Sequence, residues 1–214
     1  LFHAEVGAVV LDEEVKLRES ALLEEAANPP PCRQLAAIML GLEARRTTRG
    51  GLDILLRPVR LNDEHLLKDF FYKLSNDCMY SRFISTRTDM PHERLQKFVA
   101  IDYRREMVIL ATIDENDKEI AIGMGQYMID EASHTAEVAF VVLDGHQGKG
   151  IGAELLTYLT FLAKRQGLLG FTAAVLQDNS HMLHLFERMG FVVDKRLDAG
   201  MYELTMSFRE TAEQ

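Results

Sequence analysis

Apolar positions follow two regimes along the chain. In residues 12–27, Val15, Leu22, Leu23 and Ala26 recur with helical spacing among strong helix formers, and Asn28-Pro29-Pro30-Pro31 ends the pattern. A second helix is predicted over 32–46, where Leu35, Ile38, Met39 and Leu42 make one apolar face, so the two form a helical hairpin. Thr47-Thr48-Arg49-Gly50-Gly51 interrupts the periodicity and reads as a linker. The predicted organisation is a helical extension over 1–50, or the tail of an upstream domain, followed by one α/β domain over 51–214.

Beyond the linker, short apolar runs alternate with amphipathic stretches. A first strand is predicted over 54–60, with Pro58 pointing to an edge or a bulge. Helices follow at 62–74 and 91–100, then strands at 107–112 and 120–128 joined by a turn at 114–118, and a strand at 135–143. A helix at 151–165, a strand at 171–176, a helix at 179–189 ended by Gly190, and a hairpin of 191–196 with 201–208 across Asp198-Ala199-Gly200 complete the pattern. The order is strand, two helices, three strands, helix, strand, helix, two strands.

Composition narrows the classes. The chain has 214 residues, 47% of them hydrophobic, enough for a sizeable core. A net charge of −9, with no basic cluster longer than Arg45-Arg46 or Arg104-Arg105, argues against a nucleic-acid partner. Cys32 and Cys78 lie far apart and form neither a disulfide framework nor a zinc knuckle, which suits reduced thiols in the cytoplasm. No apolar run approaches the roughly 18 residues of a membrane span, and the first residues lack the features of a signal peptide, so no membrane association is expected. A start at Leu1 suggests a piece of something longer or a processed chain.

The chemistry centres on a glycine-rich turn between the strand at 135–143 and the helix at 151–165. Gly148, Gly150 and Gly152 let the backbone approach a ligand, and the N–H groups opening the helix attract phosphate. A Walker loop requires a hydroxyl residue after its lysine, whereas Lys149 is followed by Gly150. A dinucleotide fingerprint requires Gly-x-Gly-x-x-Gly early in a βαβ unit, whereas these glycines are spaced Gly-x-Gly-x-Gly late in the chain. Gln147-Gly148-Lys149-Gly150-Ile151-Gly152 instead resembles the coenzyme A pyrophosphate loop of the GNAT N-acetyltransferases. A second signature agrees: Asn179 opens the next helix, and Leu185-Phe186-Glu187-Arg188-Met189-Gly190-Phe191 resembles the family's Leu-Tyr-x-x-x-Gly-Phe ending. Leu55-Leu56-Arg57-Pro58, Asp63-Glu64, Leu74-Ser75 and Arg82-Phe83 further resemble the catalytic domain of bacterial Pat-type protein lysine acetyltransferases. The resemblance implies a GNAT fold over 53–208, a mixed, largely antiparallel seven-stranded sheet flanked by helices. It also implies acetyl-CoA as cosubstrate and an amine acceptor, such as a protein lysine on an acyl-CoA synthetase. Fusion to an upstream domain is common in that family.

Acyl transfer to an amine needs a neutral nitrogen, and deprotonating a lysine of ordinary pKa at pH 7 costs about 4.6 kcal/mol. Glu137 is the lone acid in an otherwise apolar strand and falls where Pat-like proteins carry their general base; the alternative is a strand glutamate alternating outward. Val141, Val142 and Leu143 are expected to lend backbone groups to the pantetheine arm as a paired strand would. Gln147, Gly148, Gly150, Ile151 and Gly152 form the anion cradle, Lys149 sits beside it as a phosphate ligand or a solvated side chain, and Asn179 and Phe186 complete the cofactor set. Phe186 replaces the tyrosine that many relatives carry as a general acid, leaving solvent, His181 or His184 for that role. His181 and His184 have no third ligand spaced with them, so no metal is expected. Tyr80, Arg82, Asp102 and Tyr103 fall in acceptor-cleft segments, and Asp102, Asp130 and Glu131 could attract a cation or be simply solvated. Three functions remain open: a protein lysine acetyltransferase, a small-amine acetyltransferase, and a non-catalytic acyl-CoA sensor.

Overall fold

The computed structural model describes residues 41–83, except for the side chains of residues 80–83, and residues 91–208. The chain divides into two compact units, Leu1–Glu43 and Ala44–Gln214, and the second carries all that follows. The helical hairpin predicted over 12–46 lies mostly outside the described residues. Where it enters them the structure differs: Ala44–Thr47 is a strand, β1, not the end of a helix.

The reason is tertiary pairing. β1 lies antiparallel to β2 (Asp53–Pro58), with Thr47 opposite Asp53 and the Thr47 hydroxyl donating to the Asp53 carboxylate at 2.6 Å. A ladder partner outweighs the helix propensity of Ala44, Arg45 and Arg46, and the two arginines suit a solvent-facing edge strand. The predicted linker is therefore the turn of a β1–β2 hairpin, and the compact unit begins at Ala44 rather than at residue 51.

Among the described residues three helices follow where two were predicted: α1 (Glu64–Lys73), α2 (Asn76–Phe83) and α3 (His92–Val99). The unforeseen α2 is capped by the preceding Ser75, whose hydroxyl accepts from the Cys78 N–H at 3.2 Å. Then come β3 (Glu106–Glu115), β4 (Lys118–Asp130), β5 (Thr135–Val142), a short 3-10 turn (Asp144–His146), α4 (Ile151–Arg165), β6 (Gly170–Leu176), α5 (Ser180–Arg188), β7 (Val192–Asp198) and β8 (Met201–Ser207). The β3–β4 hairpin tightens to a two-residue turn, Asn116-Asp117, with both residues at positive φ.

Among the described residues the sheet has eight strands rather than seven, in the order β1-β2-β3-β4-β5-β6-β8-β7. All neighbours are antiparallel except β5 and β6. Consecutive residues Met107 to Ala111 are all buried, so the sheet is covered on both faces at its centre. The Arg57 guanidinium, 1% exposed, anchors this frame. It donates in bidentate fashion to Asp63 (2.6 and 3.0 Å) and to Glu119 (2.6 and 3.0 Å), joining β2 to the start of α1 and to β4.

Two features shape the centre. Ile122 is a bulge in β4: Thr112 pairs with Ala121 and Ala111 with Gly123, leaving Ile122 unopposed. Its carbonyl accepts from the Leu143 N–H at 2.9 Å. Gly123 and Gly125 lie where a Cβ would stand 3.1 Å from Ile151 and 2.9 Å from Leu159, so their bareness lets α4 settle close to the sheet.

Candidate active site

The site grows out of a fork in the sheet. β5 and β6 pair in parallel over only three positions, ending with Glu137 opposite Thr172, although the strands have eight and seven residues. Beyond that position they separate, and the cleft between them is lined by Val138, Ala139, Phe140, Ala173, Ala174, Val175, Asn179, Met182 and Phe186. Past Glu137, β5 therefore has one edge without a strand partner, the edge an extended amide-bearing chain can join.

At the far end of the fork lies the glycine turn. Gly148 and Gly150 have φ of +73° and +92°, which glycine adopts without steric cost. Gly150 caps α4, and among the described residues none of the N–H groups from Gly148 to Ala153 donates to a carbonyl. A group of unpaired donors at the positive end of a 15-residue helix fits a diphosphate. Gly152 serves packing instead: a Cβ there would stand 3.3 Å from Leu185 and 3.4 Å from Phe140. Ile151 is buried and faces Gly123, leaving only its N–H for a ligand.

Other predicted cofactor residues are used within the protein. The Gln147 amide donates to the Val142 carbonyl (3.2 Å) and to the Cys78 thiol (3.0 Å), so its part is to hold the turn. Leu143 has both backbone groups engaged, its N–H with Ile122 and its carbonyl with His146, and Val141 pairs with Met124 of β4, so of the three expected pantetheine partners Val142 is the one whose backbone faces the free edge. The Asn179 side-chain carbonyl caps α5 by accepting from the Met182 N–H at 3.2 Å while the residue lines the cleft. Phe186 is 2% exposed and packs edge-to-face on Phe140, with centroids 5.8 Å apart. Lys149 is exposed.

A network missed by the sequence reading ties this turn to the α1–α2 corner. The Asp144 carboxylate accepts from the Ser75 N–H (3.1 Å), the Ser75 hydroxyl (2.7 Å) and the Cys78 thiol (3.3 Å), and Cys78 accepts from Gln147. Burial opposes the Asp144 charge, but the donations from Ser75 and Cys78 outweigh it and hold the carboxyl below its ordinary range. Burial, reinforced by Asp144, raises the Cys78 thiol. Burial and the Lys149 charge depress the His146 imidazole.

On the other side of Glu137 is a cavity of about 620 Å³ lined by Asp102, Arg105, Glu106, Met128, Ile129, Asp130, Glu137 and Thr172. Four carboxylates against one guanidinium make it acidic. Asp130, held low by the Ser133 hydroxyl and the Ala132 N–H, stays ionised. Glu137 thus lines this cavity while the next residue, Val138, lines the fork. Tyr103 faces away, its hydroxyl donating to the Val59 carbonyl, and burial raises its pKa. The side chains of Tyr80 and Arg82 lie outside the described residues. Glu131 is exposed near Arg105 (3.8 Å) and does not line the cavity. The His184 ring bonds the Ser180 carbonyl of its own helix at 2.6 Å. Among the described residues no group of three His, Cys, Asp or Glu could hold a metal.

Comparison with known proteins identifies this architecture. The profile of the acetyltransferase (GNAT) family matches residues 67–191, more than half of the chain. An acetyltransferase of Pseudomonas aeruginosa is 27% identical over 142 residues, covering 66% of this chain and 76% of its own. The acetyltransferase Pat of Mycolicibacterium smegmatis is 32% identical over 162 residues, 75% of this chain and 47% of that protein, so this chain spans about half its length. Among solved structures, the GNAT domain of S. lividans PAT superposes with a TM-score of 0.71 at 24% identity, covering 84% of this chain and all of that one.

Proposed function

Because this chain belongs to the acetyltransferase (GNAT) family, whose members take the acetyl group from acetyl-CoA, we propose that it transfers that group to a protein lysine. Glu137 acts as the general base. The observation that carries the reading is the position of Glu137 at the last paired residue of the fork, with the apolar cleft on one side and the acidic cavity on the other.

The roles divide along the fork. Acetyl-CoA supplies an activated thioester. The N–H groups from Gly148 to Ala153 bind its diphosphate, and the free edge of β5 at Val142 pairs with the pantetheine amides. Asp102, Glu106 and Asp130 draw in a protonated amine, which the Glu137 carboxylate deprotonates directly or through water. The Phe186 ring has no proton to give, so solvent protonates the leaving thiolate.

Several observations favour a lysine of a protein over a small amine. The similarity to Pat, 32% identical, extends over 75% of this chain, and the cavity carries charged groups from several elements. The candidate acceptors include acyl-CoA synthetases, and the two separated cysteines suit a cytoplasmic setting. A screen with labelled acetyl-CoA against acyl-CoA synthetases, lysine peptides and small amines tests the reading. Label on a protein lysine supports it; label on small amines alone would move the chain to a small-amine acetyltransferase. Tight binding of acetyl-CoA without turnover on any acceptor would make it a sensor.

A further inference from the structure

The β1–β2 hairpin, read from the sequence as a linker, packs on the glycine turn. The Gly50 N–H donates to the Lys149 carbonyl at 3.3 Å, and a Cβ on Gly50 would stand 3.1 Å from that oxygen. On the other side, a Cβ on Gly150 would stand 3.3 Å from the Arg49 nitrogen and 3.7 Å from the Arg49 Cβ. Arg49 therefore leaves the backbone beside the residue whose left-handed conformation opens α4.

The tip of the hairpin is rigid at its base and free at its end. Thr48, 3% exposed, bonds Leu52 in both directions through its backbone N–H (2.8 Å) and its hydroxyl (3.2 Å), and its carbonyl accepts from the Gly51 N–H at 2.8 Å. Arg49 itself is exposed, and among the described residues it has neither an ion pair nor a side-chain hydrogen bond. The Arg49 N–H donates to no carbonyl either. Lys149 is likewise exposed and unpaired. In a chain of net charge −9, two cations without a partner among the described residues flank the unpaired N–H groups that open α4.

We propose that Arg49 is a further coenzyme A-binding residue, supplied by the β1–β2 turn, which meets the phosphates of the ADP end alongside Lys149. A guanidinium suits this task, since its planar fork matches phosphate oxygens and it stays charged at every relevant pH. The anchored turn fixes where its side chain starts. The hairpin then is part of the cofactor site as well as the edge of the sheet.

The inference rests on the glycine turn being the coenzyme A phosphate site, and calorimetry on the full chain separates the two. Wild type, Arg49→Gln and Arg49→Lys are titrated with coenzyme A and with 3′-dephospho-CoA, and thermal melts confirm equal folding. Arg49→Gln is expected to weaken coenzyme A binding about tenfold and Arg49→Lys to restore it to within about threefold. Above roughly 0.5 M salt the difference between wild type and Arg49→Gln should shrink. A loss that persists with 3′-dephospho-CoA assigns Arg49 to the diphosphate; one that disappears assigns it to the 3′-phosphate. Wild type binding coenzyme A with Arg49→Gln within twofold of it overturns this inference alone, whereas wild type that binds neither ligand overturns the site and the inference together.

Discussion

The two arms of the site are built from different materials. The proposed cofactor arm is backbone: unpaired N–H groups from Gly148 to Ala153, a free strand edge beyond Glu137, and glycines whose left-handed φ shapes the turn. The acceptor arm is side chain: carboxylates from the α3–β3 connection, β3, β4 and β5 gathered around one cavity. A backbone site recognises what every donor substrate shares, a diphosphate and an amide-bearing arm. A side-chain site is open to variation at each position, and the proposed function puts acceptor choice there.

The largest perturbation strikes the frame that both arms share. Arg57→Ala leaves Asp63 buried without its partner and is expected to cost about 3–5 kcal/mol in stability, measurable by denaturant unfolding and lowering both activities together. If acceptor turnover alone fell, the frame would not be common to both arms.

Gly150→Val should separate them. A β-branched residue at φ +92°, against the Arg49 nitrogen, deforms the turn and is expected to weaken coenzyme A binding more than about 100-fold. Calorimetry on a folded variant that binds within threefold of wild type would remove the backbone cradle.

Asp102→Asn and Asp130→Asn act on the other arm. Each should raise KM for a cationic acceptor by roughly three- to tenfold and leave the acetyl-CoA dissociation constant unchanged, with the effect fading in high salt. Steady-state kinetics at two salt concentrations checks this, and equal effects on a neutral acceptor would contradict it.

The smallest effect is on acid stability. The hydrogen bonds from Arg57 hold the Glu119 carboxyl below its usual range. A depressed carboxyl contributes stability above its unfolded pKa, about 4.3, and loses it as pH falls through the folded value. Melting temperature should therefore decline below about pH 4.5, and less steeply in Glu119→Gln.

This division also explains what was legible in the sequence. The glycine turn could be read because left-handed backbone at Gly148 and Gly150 and tight packing at Gly152 restrict the choice to glycine at fixed spacing, and the place of Glu137 in β5 because an acid in an apolar strand breaks its pattern. The helix reading of residues 44–46 missed β1, since those residues favour a helix locally and only β2 makes them a strand. The Ser75–Cys78–Asp144–Gln147 network was invisible, because its members are separated by up to 72 residues and meet only through the fold. Gly123 and Gly125 carried a usable signal: glycines inside a strand mark a place where another element comes close. The acceptor cavity was legible only in part, as Asp102 and Asp130 were singled out while Glu106 and Arg105 were not.

Glu137 is the group that the proposed reaction places between the arms, and Glu137→Gln tests that role most directly. With an acceptor in hand, the variant should bind acetyl-CoA as wild type does and lose on the order of 10²-fold in kcat/KM. The deficit should narrow as pH rises, because more alkaline solution supplies the neutral amine that the carboxylate otherwise generates. Full activity of the variant across that pH range would contradict the claim and pass the base role to water or to another carboxylate of the cavity.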